Sequence, residues 1–203
     1  MFDKLTKNNL VWFPEKGIGY YPVSGNPYND EYIKHYQECS CTEMGKSITK
    51  SRIELVKKYY DGALIDVGVG SGHFLLERGN TFGYDVNISS VNWIKSIGLY
   101  RCLYSDCYES ATFWDSLEHI EKPEYAIKHV GKFAFVSIPI FTNCEHIIKS
   151  KHYKKTEHFW YFTKNGLVDW FIEQGFECLE INSMETDLGR EDIGTFVFGR
   201  CNA

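Results

Sequence analysis

The stretch Ala63 to Asp85, ALIDVGVGSGHFLLERGNTFGYD, constrains the fold more than any other part of this chain. Ala63-Leu64-Ile65 is a short, continuous apolar run, the composition of a strand buried on both faces of a parallel sheet. Asp66 follows, and Gly68-Val69-Gly70-Ser71-Gly72 then places three glycines at alternate positions. His73 to Arg78 has helical composition, Thr81 to Tyr84 returns to strand character, and Asp85 closes it. Strand, glycine turn, helix and a second strand ending in an acid make a nucleotide-binding half-unit of a wound α/β sheet. The spacing also separates cofactor classes. A dinucleotide fingerprint needs its third glycine three positions after the second, and His73 stands there.

The GxGxG pattern, with an acid two residues before its first glycine, resembles the first motif of class I S-adenosylmethionine-dependent methyltransferases. That cofactor has no pyrophosphate to rest on a helix N-terminus. It carries a sulfonium and an ammonium, which suit an acidic pocket, and glycines let backbone pass where a Cβ would intrude. The resemblance implies that Asp66, Gly68, Val69, Gly70, Gly72, Asp85 and Val86 bind S-adenosylmethionine, with Asp85 accepting from the ribose hydroxyls. It covers about residues 53–198. It further implies a Rossmann-like three-layer α/β sandwich whose seven-stranded, mostly parallel sheet has the order 3-2-1-4-5-7-6 and helices on both faces.

The chain has 203 residues, enough for one compact domain. We divide it into an N-terminal segment, 1–50, that covers the cofactor and acceptor pocket, and a cofactor-binding core, 51–203. No apolar run is long enough to span a bilayer, and the first residues lack the apolar core of a signal peptide. Seven cysteines without paired CxxC spacing suit reduced thiols, so the expected location is the cytoplasm. A net charge of -5 argues against broad nonspecific nucleic-acid binding.

Residues up to about Pro27 read as irregular, with helices from near Asp30 and from about Thr49 to Tyr60, the second ended by Gly62. Ser90 to Ile97 is an expected helix capped by Ser89 or Ser90. Leu103-Tyr104-Ser105 is an expected strand ending at Asp106, and the family likeness makes Asp106 and Cys107 candidates for the adenine amino group. Lys132 to Ile138 reads as a strand closed by Pro139. Thr163 should cap a helix from about Lys164 to Gln174 that Gly175 stops. Phe176–Ile181 and Thr195–Phe198 supply the last strands.

The second informative stretch is Ala111 to Ile120, ATFWDSLEHI. A strand ending in Asp115 before Leu-Glu-His is similar to the fourth-strand motif of the quinone-biosynthesis and small-molecule methyltransferases. By that likeness Trp114 and Asp115 face the cofactor, an aromatic face being suited to a cation. His119 is the first candidate for a general base and His158 the second. Asp115, Glu118 and His119 also have the i, i+3, i+4 spacing of one helical face. With His158 they resemble the two-acid, two-histidine metal cluster of small-RNA 3′-terminal 2′-O-methyltransferases; a divalent metal is the less favoured reading, the first acid being Asp. His146 to His158 carries four lysines and three histidines, either a solvated loop or a lip for an anionic substrate.

The reading is methyl transfer from S-adenosylmethionine to O, N or C of a small or medium-sized acceptor, ring-bearing or anionic, leaving S-adenosylhomocysteine. A nucleotide or RNA-end methyltransferase and a non-catalytic S-adenosylmethionine-binding partner subunit are the alternatives.

Overall fold

A computed structural model describes residues 9–23 and 29–201. In chain order its elements are β1 (Val11–Phe13), β2 (Ile18–Tyr20), α1 (Asp30–Cys41), α2 (Glu43–Tyr59), β3 (Leu64–Val67), α3 (His73–Arg78), β4 (Thr81–Tyr84), α4 (Ile88–Ser96) and β5 (Tyr108–Trp114). A 3-10 turn at Leu117–His119 precedes α5 (Pro123–Ile127), β6 (Val130–Phe141), α6 (Cys144–Lys149), β7 (Trp160–Thr163), α7 (Lys164–Glu173), β8 (Phe176–Asn182), α8 (Met184–Asp187) and β9 (Ile193–Arg200).

The nine strands form one mixed sheet, ordered β1-β2-β7-β6-β5-β3-β4, with β9 pairing β6 and β8 pairing β9. β3 runs parallel to β4 and β5, β5 runs parallel to β6, and β9 is antiparallel to β6 and β8. Alternation along the strands sorts the core into two layers. Ile65, Val67, Phe113, Val136, Phe196 and Phe198 face one side, where Ala126 and Ile127 of α5 and Leu167 and Phe171 of α7 cover them. Leu64, Trp114, Phe135 and Val197 face the other, under Leu55 and Val56 of α2 and Phe74 of α3. The three-layer Rossmann-like architecture is as expected, and no helix among the described residues is long and apolar enough to cross a membrane.

The strand count and order differ from the expected seven. Leu103 to Ser105 is not a strand: only Leu103 is buried, as a single apolar plug, while Tyr104 and Ser105 are exposed and so lack a strand's alternation. One parallel bridge, Gly83 to Tyr100, stands in its place, and β4 is an edge. The opposite end gains strands. Residues read as irregular form the β1–β2 hairpin, which pairs β7 through Ile18 and Phe162. Pro139 does not close β6, because Ile140 regains a partner by donating to the Asp192 carbonyl at 2.7 Å and Ile140–Phe141 pair with Phe162–Thr163.

Helix ends show the same kind of difference. α2 starts at Glu43, capped by the Thr42 hydroxyl, and is continuous across residues 50 and 51, so the expected segment boundary falls inside a helix. It ends at Tyr59, three residues short of Gly62. Asn87 rather than Ser89 or Ser90 caps α4, its side chain accepting from both serine amides. Thr163 caps α7 as expected, accepting from the Gly166 amide at 2.9 Å.

Candidate functional site

The C-terminal ends of parallel strands are where a wound sheet binds ligands. Here β3 ends in the glycine turn, β4 in Asp85 and β5 in Trp114 and Asp115. Gly68, Gly70 and Gly72 all take left-handed backbone, φ +80°, +52° and +79°. A Cβ on Gly72 would lie 2.2 Å from the Trp93 ring, whereas one on Gly70 would meet nothing within 4 Å. Gly72 therefore seats α3 against α4, and Gly70 turns bare backbone toward open space.

Asp85 closes this turn. Its carboxylate accepts from the Asn87 amide at 2.8 Å and from the amides of Val86, Gly70 and Val69, while burial raises its pKa. Asp85 is only partly buried, so its carboxylate stays within reach of a ligand hydroxyl. Val86 is 65% exposed beside it, an apolar surface left open among the described residues. Val69 is buried against Leu75 and Ile94 and acts through its backbone. Asp66 is buried and accepts from the Thr112 hydroxyl at 2.6 Å; burial pushes its carboxyl up to about 7. Open glycine backbone, a partly exposed acid and an adjacent apolar side chain fit S-adenosylmethionine.

Asp106 and Cys107 are not part of this constellation. They are exposed and immediately precede β5, at the end of the strand opposite Trp114, where the Asp106 carbonyl accepts from the His129 ring at 2.7 Å. The expectation failed with the strand that was to carry them.

Trp114 is buried, edge-on to Phe74 with ring centroids 5.4 Å apart, and the Arg52 guanidinium lies 4.9 Å from its ring centre. Its indole nitrogen is buried with no partner among the described residues. Asp115 follows with a left-handed φ of +53°, so it is outside the 3-10 turn and not on one helical face with Glu118 and His119. Two guanidiniums occupy it. Arg190 bonds both carboxylate oxygens at 2.8 Å, and Arg52 reaches Oδ2 at 3.0 Å. Although burial opposes ionisation, Arg190 and then Arg52 hold this carboxyl well below the ordinary range. Glu185, fully buried, pairs with both arginines, the bond from Arg52 Nε measuring 2.7 Å. Arg52, Glu185 and Arg190 escaped sequence reading, since nothing near each in the chain marks it.

The remaining candidates do come together. Asp115, Glu118, His119, His158 and Arg190 line a cavity of about 250 Å³ with Tyr36, Pro139, Lys151, His152 and Lys154. The His119 and His158 rings stand edge to face, 4.5 Å between centroids. Burial, aided by the Lys154 ammonium, pushes His119 down to about 4, and burial with neighbouring His119 and Lys154 drives His158 well below its ordinary value. Both are neutral imidazoles at physiological pH. Ligand atoms of Glu118, His119 and His158 lie within 4.8 Å of one another, a set suited to a divalent ion, but Asp115 is withheld from it by the two arginines. Of the basic loop, Lys151, His152, Lys154 and His158 reach the cavity. Lys151 pairs with Glu191 at 2.8 Å and Lys154 with Glu157 at 3.1 Å, so much of the loop's positive charge is answered locally.

No protein-family model matches the sequence, and no curated protein is similar to it. Solved structures are. The magnesium protoporphyrin IX methyltransferase of Synechocystis, with S-adenosylhomocysteine bound, superposes with a TM-score of 0.62 at 11% identity, covering 86% of this chain and 96% of that one. This is the class I methyltransferase fold. The same fold appears in a Burkholderia thailandensis 1,6-didemethyltoxoflavin N1-methyltransferase holding both acceptor and S-adenosylhomocysteine (TM-score 0.56, 9% identity, 91% of this chain and 96% of that one). It appears again in the [4+2]-cyclase SpnF, with a TM-score of 0.61 and 11% identity over 91% of this chain and 99% of that one. A methyltransferase fold thus carries more than one chemistry, and the site must decide between them.

Proposed function

We propose that this chain is an S-adenosylmethionine-dependent methyltransferase acting on a small acceptor bound in the cavity between the basic loop and Asp115. The observation that carries the reading is the glycine turn: three left-handed glycines, one open to ligand, closed by Asp85 at the same end of the parallel strands as Asp115, which lines the cavity. Gly68, Gly70, Asp85 and Val86 would hold the cofactor. When bound, it supplies a methyl carbon on a sulfonium sulfur, so that an acceptor lone pair forms the new bond while the carbon–sulfur bond breaks and its electron pair stays on sulfur. The protein's main task is then alignment, which alone can lower a barrier by roughly 7–11 kcal/mol. For an O–H or N–H acceptor the departing proton would pass to His119 or His158; both are neutral and can take it, but burial and the Lys154 ammonium keep them weak bases, so their contribution falls short of the roughly 10²–10⁴-fold of a base matched to the operating pH. Tyr36 of α1 lines the same cavity, which supports the N-terminal segment as its cover.

The local pairing of Lys151 and Lys154 favours a small acceptor over a nucleic-acid end. Titration with S-adenosylmethionine and S-adenosylhomocysteine tests the cofactor: micromolar binding is expected, weakened at least tenfold in Asp85→Ala. Release of S-adenosylhomocysteine that depends on added acceptor separates an enzyme from a silent partner subunit. Calorimetry with Mg²⁺ and Mn²⁺ on chelator-treated protein tests the metal alternative.

A further inference from the structure

Three acids are buried among the described residues, and one lacks a partner. Asp66 has the Thr112 hydroxyl and Glu185 has two guanidiniums. Glu118, 2% exposed, has both carboxyl oxygens out of water and bonded to no described residue. Nε2 of His119 is 4.0 Å from Oε1, beyond hydrogen-bond length. The backbone keeps the side chain there. Glu118 sits inside the 3-10 turn, and its carbonyl accepts from the Phe159 amide at 2.9 Å. A buried carboxyl without a partner costs stability, and in this fold it lines the cavity rather than any structural contact.

We propose that Glu118 binds the methyl acceptor: its carboxyl takes a polar hydrogen of an O–H or N–H group, restricting the cavity to hydroxyl or amine acceptors. A hydroxyl or amine can give its hydrogen to the carboxyl and keep a lone pair for the incoming methyl group. A carbon nucleophile has no such hydrogen and leaves both oxygens unpaired, and a site built to bond a polar hydrogen discriminates strongly against ligands without one. Binding at Glu118 does not depend on the cofactor; the restriction to O and N transfer rests on the methyltransferase reading.

Matched ring probes test this without knowledge of the natural acceptor. Benzyl alcohol and phenol carry the hydrogen, and benzyl methyl ether and anisole do not; all four suit a cavity of about 250 Å³. NMR titrations would follow the His119 and His158 ring signals with S-adenosylhomocysteine present. The protic probes are expected to bind at least tenfold tighter than the capped ones. Glu118→Gln, which keeps a carbonyl acceptor and a donor, should retain that preference within about threefold, and Glu118→Leu should lose it. The leucine variant should melt no lower than the parent, since it removes an unsatisfied buried polar group, so its loss is not unfolding. Equal binding of capped and protic probes, no binding of either, or full binding to Glu118→Leu would each overturn the assignment. So would tight Mn²⁺ binding to the parent that Glu118→Gln abolishes. S-adenosylhomocysteine binding in the same samples reports separately on the cofactor.

Discussion

The two aspartates at the ends of β3 and β5 acquire their chemistry from their immediate partners. Asp66 and Asp115 are both strand-end aspartates, yet burial raises one to about 7 and guanidiniums lower the other. Asp66 faces the Thr112 hydroxyl, with Arg52 and Arg78 favouring its charge and Asp85 opposing it. Its folded pKa lies above its ordinary value of 3.8, so the folded state binds the proton more tightly than the unfolded chain. The stability this adds is fully present below about pH 4 and is lost as pH rises through about 7. Asp66→Asn keeps a carbonyl to accept from Thr112 and removes the titration. Urea unfolding should find it more stable than the parent at pH 8 by roughly 2–4 kcal/mol, with a much smaller gain at pH 4. Equal pH slopes for the two proteins would refute the assignment. The sequence showed that Asp66 and Asp85 frame a turn, but not these charge states. The partners that set them, Thr112 and Arg52, lie on other elements.

Elements with local instructions were legible. α7 announced itself through Thr163 before it and Gly175 after it, and β3, α3 and β4 through the apolar run and the glycines around them. Elements whose reason lies elsewhere in the chain were not. β1 and β2 have three residues each, too few to carry a pattern, and they exist because β7 offers Ile18 and Gly19 a ladder in Phe162 and Tyr161. The join between hairpin and α7 is tight. Gly17 has φ +62°, a Cβ there would meet Thr163 Oγ1 at 2.2 Å, and its carbonyl accepts from the Thr163 amide at 2.8 Å. Gly17→Ala meets both strain and a clash with a capping hydroxyl, and should cost about 2–3 kcal/mol. Thr163→Ala, which loses only the cap, should cost about 1 kcal/mol. Denaturant melts of the two variants check the ranking, and a Gly17→Ala protein as stable as the parent would mean the hairpin is not held as described. The expected third strand failed for the converse reason. Its three residues resemble a strand, but only Leu103 finds a buried place.

At the scale of the molecule, the least legible feature is the one that joins the most elements. Arg52 comes from α2, Asp115 follows β5, Glu185 belongs to α8 and Arg190 precedes β9, so no local pattern announces their meeting. Their charges balance, two positive and two negative, in a place where Glu185 is fully enclosed and the Arg52 side chain is 14% exposed. Taking one member from such a group leaves a charge without its partner, at a cost of about 3–5 kcal/mol. Arg52 is the member to remove, because Arg190 and Asp115 line the cavity and Arg52 does not. For a chain of this size Arg52→Met should lower the melting temperature by roughly 10 °C. Arg52→Met combined with Glu185→Gln removes one charge of each sign, so it should recover part of that loss. Calorimetric melts of parent, single and double variants make the comparison. A single variant within 2 °C of the parent would mean the four charges are solvated rather than mutually dependent. The outcome bears on function because the two arginines of this group hold Asp115 away from Glu118 and the two histidines. With Arg52 gone, Asp115 keeps Arg190 alone, and any gain in Mn²⁺ affinity of that variant would show that the arginines keep the cluster from closing around a metal.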